Sequence, residues 1–442
     1  MRPNGARAVG VHLLHGHTRR LAVPYLVIAV CFAVGAGLVA GALWPAGSVL
    51  DAPGYGFAAT LLLGVGLYGS THAIEPAEVR RSLGVVLVAV TFGVLLKAAL
   101  IAAVMVLAFR RPEYLVLGIA VAQIDPLSVA ATQDDPRVSA RAKAILSIWA
   151  SFDDPMTVLL TVYFSALALR LDHTGPAPGS ALSDSADVLG GLLSNIALFA
   201  ATLAAWWLIR LAYLLRPRTR RGGADRPAPP PAAPTAVPGR PLSLDVAALV
   251  LVAVLLAVAA HTALVLAVAL AGLAVRLGRF AAVLEGAVAV AFLLAAAALG
   301  FLLSGGVLLY QGLVLGVAAF AAQFLVTLLI GRLLVRPGLS RADRAHLGLG
   351  QQNGITAILL ALSLEPSFPG TVGVVGPAIL TVNLLHYAFR WARADTWRWD
   401  AVRSWARARR TPDRPAGPAP GPARPYRRSP RRGKDRGRIR AR

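Results

Sequence analysis

The sequence predicts an all-α polytopic membrane protein of about twelve transmembrane helices, with central helices broken at mid-membrane. Three observations carry that expectation. The chain of 442 residues is 57% apolar and only 15% charged, with a mean hydropathy of +0.64, far from the balance of a soluble domain. Runs such as VVLVAVTFGVLLKAALIAAVMVLAF, residues 85–109, exceed the roughly 20 helical residues that cross a hydrocarbon core of about 30 Å. Two of the runs also contain acids beside proline, in QIDPL and SFDDP, which a purely structural helix bundle gains nothing by carrying.

A basic cytoplasmic arm, residues 1–19, leads into the first span at 20–43. No small-residue cleavage pattern follows that run, so a retained helix is expected and not a secretory signal. Further spans are expected at 54–70, 82–109, 114–133, 144–170 and 189–212, completing a first membrane half over 20–215. The segment 216–241, RPRTRRGGADRPAPPPAAPTAVPGRP, is rich in proline, alanine and arginine and has no packing pattern, so it reads as a cytoplasmic linker. A second half over 242–390 holds spans at 243–259, 262–275, 281–303, 307–334, 347–364 and 371–390. The seventh and eighth are short, separated mainly by His261 and Thr262.

Basic residues cluster after every second span: Arg80 and Arg81, Arg137 and Arg141, the linker arginines, Arg276 and Arg279, Arg341 and Arg344. The bias of basic loops toward the cytoplasm then places both termini inside. The tail, 391–442, carries seventeen basic and four acidic residues with prolines spread through it. Such a composition cannot bury a core, and a disordered tail lying on anionic lipid headgroups is expected. The net charge of +23 therefore belongs to loops and tail, and no nucleic-acid partner is expected. One cysteine, Cys31, excludes an internal disulfide. The cluster His12, His15 and His17 on the basic arm is poor ground for a catalytic metal, and isolated GxG patterns lie within apolar helices. No enzyme activity and no cofactor are expected.

Alternate threading makes the third, fourth and fifth spans run opposite to the tenth, eleventh and twelfth. The middle members of both triplets are interrupted, one by IDP and the other by GQQNG, the pattern of an inverted repeat. Asp125 falls near the centre of the fourth span, and Asp153 and Asp154 lie within the fifth. Each aspartate at a helix centre costs about 2.5–3.5 kcal/mol to insert, so these three are expected to line a polar cavity or to contact a cation. Pro126 and Pro155 remove N–H groups and are expected to break their helices, freeing carbonyl oxygens beside the acids. Ser128, Thr132, Ser151 and Thr157 add hydroxyls nearby. Adjacent aspartates point about 100° apart on a helix, giving Asp153 and Asp154 unequal roles. A buried carboxylate can hold a proton or a cation, and competition between the two is an exchange mechanism. Lys97, near the middle of the third span, is costly unless it pairs with a core acid or snorkels. In the second half, Gln351, Gln352 and Asn353 stand between Gly350 and Gly354. These glycines permit a break, and the amides can satisfy the loosened backbone. Asn383 and His386, in the last span, could meet the fifth span in the core.

At these residues the sequence resembles the monovalent cation:proton antiporter superfamily, especially its bacterial sodium/proton exchangers. QIDPLSVAA resembles the family's threonine-aspartate-proline helix, with Ile124 at the usual threonine, and SFDDP resembles the following asparagine-aspartate or aspartate-aspartate helix. The resemblance covers roughly residues 50 to 390. It implies a core bundle moving against a dimerisation bundle, a homodimer in the bacterial cytoplasmic membrane, and exchange of Na⁺, or Li⁺ or K⁺, for H⁺ in the service of pH homeostasis. It gives Asp154 the proton- and cation-binding role and Asp153 the variable position before it. The basic residue that the family carries in a late core helix has no equivalent in GQQNG. A proton-coupled transporter of an organic solute, or a membrane sensor or scaffold, would be the alternatives, and the second leaves the three acids unused.

Overall fold

The structure, a computed structural model, describes residues 28–74, 88–124, 129, 138–171, 188–215, 241–333, 340–350 and 354–410. The N-terminal arm, the linker through residue 240 and the tail beyond residue 410 lie outside the described residues. The chain forms two units, Met1–Phe389 and Arg390–Arg442.

The described residues form fourteen α-helices and no strands. They are α1 (Ile28–Leu43), α2 (Ala46–Leu50), α3 (Tyr55–His72), α4 (Val94–Phe109), α5 (Glu113–Ala120), α6 (Ala140–Leu171) and α7 (Val188–Leu215). After the linker come α8 (Leu242–Thr262), α9 (Val265–Ala274), α10 (Ala281–Leu303), α11 (Leu309–Leu333), α12 (Arg341–Gly348), α13 (Ile355–Leu364) and α14 (Thr371–Arg410). Seven of the described helices are long and apolar enough to cross a membrane, and large apolar side chains such as Phe32 and Leu107 are more than three-quarters exposed. A polytopic membrane protein is the consequence, because only a lipid solvent accepts so much outward apolar surface.

Small residues let the helices approach closely, as packing in lipid requires. Gly37 and Gly41 of α1, four residues apart, lie against the α10 backbone at Ala297 and Phe301, and Gly300 of α10 faces Val34 in return. One group of helices surrounds α3, which packs on α8, α9, α10 and α13. Its Tyr68 hydroxyl donates to the Val275 carbonyl at 2.7 Å, and Arg276 donates to the carbonyls of His72 and Ile74. The C-terminal ends of α3 and α9 therefore meet on one side. The short connection at Ala263, in left-handed backbone with φ 58°, separates α8 from α9.

A second group joins α4, α5 and α6 to α11 and α12. A Cβ at Gly118 of α5 would lie 2.7 Å from the Ala102 backbone of α4. A π-helical turn, Val88–Gly93, leads into α4, and Gly93 leaves room there for Trp149 of α6 and Ile330 of α11.

Two helices are interrupted. The expected span at 114–133 is helical as α5 only to Ala120, followed by non-helical backbone through Ile124. In the second half α12 ends at Gly348, the described residues Leu349, Gly350 and Gly354 are non-helical, and α13 begins at Ile355. The two interruptions meet, since a Cβ at Gly350 would be 3.6 Å from Cγ2 of Ile124 and 2.9 Å from Leu146 Cδ1 of α6. Pro155 does not break its helix: α6 is continuous from Ala140 to Leu171. Proline removes one backbone hydrogen bond, and packing of α6 against α5 and α12 holds the helix together across it.

Candidate functional site

The site grows from α6. Asp153 and Asp154 are both buried there, at 0% and 2% exposure. Lys97, three residues into α4 and likewise at 0% exposure, places Nζ 2.6 Å from Asp153 Oδ2. The same oxygen accepts the Ile124 N–H at 2.8 Å. That donor is free because α5 has already ended, so the interruption supplies the acid with a backbone partner. The Trp149 ring, one turn before Asp153, lies 5.7 Å from Lys97 Nζ and adds a cation–π attraction to the pair.

The pairing follows from energetics. A lone ammonium or carboxylate in this interior would forfeit several kcal/mol of solvation, and attraction at short range in low dielectric offsets much of that loss. Asp154 also interacts electrostatically with the Lys97 ammonium. Lys97 pairs directly with Asp153 alone, and with all three groups ionised the cluster carries one net negative charge. A single monovalent cation or a single proton neutralises it. Among the described residues no group of three or more His, Cys, Asp or Glu is arranged to hold a metal ion.

Asp153 is only half committed. Its Oδ1 has no hydrogen-bond partner among the described residues, and neither does the hydroxyl of Thr157, one turn further along the same face of α6. Thr157 is fully buried. Its neighbours on that stripe behave differently: Thr161 donates to the Thr157 carbonyl at 2.7 Å and Ser165 to the Thr161 carbonyl at 2.6 Å.

Of the other residues singled out in sequence, Asp125, Pro126, Ser128, Thr132, Gln351, Gln352 and Asn353 lie outside the described residues. Ser151 is within α6. Asn383 is half-buried on α14. His386, also on α14, packs edge-on against Phe320 of α11 with ring centroids 4.9 Å apart.

Gln123 is the residue that sequence reading passed over. It is fully buried, immediately before Ile124, and neither its amide oxygen nor its amide nitrogen has a partner among the described residues. An unmet buried polar group costs about 1–3 kcal/mol, and such groups gather where a ligand or water is received. A polar side chain directly before IDP was the available signal. By contrast Gln323 of α11 donates to the Leu347 carbonyl at 3.2 Å, satisfying backbone at the end of α12.

Fold and site together define an all-helical, multi-span membrane protein in which two interrupted helices meet beside buried, paired ionisable groups. Among solved structures the chain is similar to the sodium proton antiporter MjNhaP1 from Methanocaldococcus jannaschii at pH 8, with a TM-score of 0.57 and 15% identity over 83% of this chain and 99% of that one. At this identity the likeness establishes a shared fold. No family model matches the chain, and no curated protein matches it in sequence.

Proposed function

We propose that the protein is a secondary active antiporter that exchanges a monovalent cation for H⁺ by alternating access, with Na⁺ the first candidate and Li⁺ or K⁺ the alternatives. The observation that carries this reading is the pair of adjacent buried acids, one of them ion-paired with a buried ammonium. The shared fold with a sodium proton antiporter supports it. Asp154 takes the central role, binding the cation when ionised and the proton otherwise. Asp153 contributes its uncommitted oxygen, and Lys97 balances charge while the site is empty of cation. Asp125 is assigned to the same site. A cation and a proton neutralise the same single negative charge of the cluster, so cation and proton occupancy are mutually unfavourable. Loading is thereby coupled to unloading.

On this reading the group of α4–α6 with α11 and α12 is the moving core, and α3 with α8, α9 and α10 belongs to the dimerisation bundle of a homodimer in a bacterial cytoplasmic membrane with both termini inside. The protein transports and has no catalytic residues, and the basic tail lies on anionic headgroups.

The test is ion-induced proton movement in proteoliposomes containing the full chain, with Na⁺, Li⁺ and K⁺ supplied in turn across neutral and alkaline pH. Wild-type protein is expected to release protons on addition of at least one ion, and Asp154→Asn, correctly inserted, to lose that response altogether. Unimpaired exchange in Asp154→Asn would overturn the assignment of this residue. Silence of the wild type toward all three ions would overturn the reading for those ions.

A further inference from the structure

We propose that the side-chain amide of Gln123 is a ligand of the transported cation, completing with Asp153 Oδ1 and the Thr157 hydroxyl an oxygen shell that sets which monovalent ion is accepted. The inference rests on the antiporter reading and adds a specificity-determining residue to it.

Position comes first. Gln123 is joined by one peptide bond to Ile124, whose N–H is hydrogen-bonded to Asp153 at 2.8 Å. Thr157 stands one helical turn from Asp153 on α6. Three buried oxygens without a partner among the described residues, Gln123 Oε1, Asp153 Oδ1 and Thr157 Oγ1, therefore belong to residues directly bordering the same contact.

Chemistry comes second. A small monovalent cation sheds water only where protein oxygens replace it, and neutral carbonyl oxygens at interrupted helices perform that exchange in membranes. An amide oxygen and a hydroxyl supply coordination without further negative charge. The cluster of Lys97, Asp153 and Asp154 already carries the single negative charge that one monovalent ion needs, so added neutral ligands tune selectivity while charge balance is unchanged.

The structural role open to Gln123 would be satisfaction of the broken backbone, which is what Gln323 does for Leu347. Gln123 makes no such bond among the described residues. Thr157 shows the same contrast with Thr161 and Ser165, whose hydroxyls are spent on the preceding turn.

The experiment uses full-length protein in proteoliposomes, measuring proton movement against concentration of NaCl, LiCl and KCl for wild type, Gln123→Leu and Gln123→Asn. Cation-induced rise in melting temperature in detergent is read alongside as a measure of binding without transport. Gln123→Leu is expected to raise the half-activating cation concentration about tenfold, the scale of one lost polar contact, and to shrink the thermal response. Gln123→Asn, which keeps the amide but shortens its reach, is expected to change the ratio of responses among the three ions. Half-activating concentrations and ion ratios within twofold of wild type in both variants would overturn the proposal, leaving the antiporter reading intact. A wild type inactive with all three ions removes both. If Gln123→Leu does not insert, Gln123→Asn decides by its ion ratio.

Discussion

Lys97 and Asp153 are both sealed from solvent and joined at 2.6 Å, and each is tolerable in the core only because of the other. Lys97→Met therefore leaves a buried carboxylate without its cation and is expected to destabilise the protein by about 3–5 kcal/mol. Combining it with Asp153→Leu removes the second charge as well and should recover most of that loss, although not transport. Melting of the purified single and double variants in detergent checks this. A double variant no more stable than Lys97→Met would show that the pair does not act as a unit. The adjacent acid behaves differently under the proposed function: Asp154→Asn is expected to spare folding and abolish exchange. The sequence made the two acids and the lysine visible as costly residues, but it left open which acid the lysine meets. That choice depends on how α4 and α6 are rotated against one another.

At the scale of the element, interruption does the positioning. Because α5 ends at Ala120, the N–H of Ile124 is released from helical pairing and reaches Asp153. Gly118, in the last turn of α5, allows the approach to α4 that brings the break beside the ion pair. Gly118→Val would press branched methyl groups onto the Ala102 backbone, which cannot yield as a side chain tip can. The expected cost is about 1–3 kcal/mol or more, with exchange falling as α5 is displaced. Gly286→Ala, at a helical position with open space around its α-carbon, is the matched control and should be near neutral. Comparable melting temperatures for the two variants would refute the close-packing role. Both prolines in this part of the sequence suggested breaks, yet α6 passes through Pro155 unbroken. A proline removes one hydrogen bond, and neighbours decide whether the helix survives.

Across the whole molecule, the two interrupted halves are also tied together away from the ion pair. Asp343, at the start of α12, accepts the Ser139 N–H at 2.9 Å just before α6 and forms a capping box with Ser340. Burial acts to raise its carboxyl, but the hydrogen bonds from Ser139 and Ser340 outweigh burial and hold it below the ordinary range. A folded-state value below the unfolded one contributes stability that is fully present above the unfolded pKa of about 4 and is lost as pH falls through the folded value. Melting temperature should therefore drop more steeply below about pH 4 in wild type than in Asp343→Asn. Parallel pH profiles would exclude this link. By itself, the sequence determined the class of molecule, because lipid demands long apolar helices and makes every internal charge and proline conspicuous. It also determined that Asp153, Asp154 and Lys97 needed partners. Only the tertiary structure decided the partners: Lys97 with Asp153, Ile124 beside Gly350, Asp343 with Ser139, and Gln123 buried without a match among the described residues. These contacts join residues far apart in sequence, and they depend on helix rotation and on where each helix stops. Hydropathy and spacing record neither quantity.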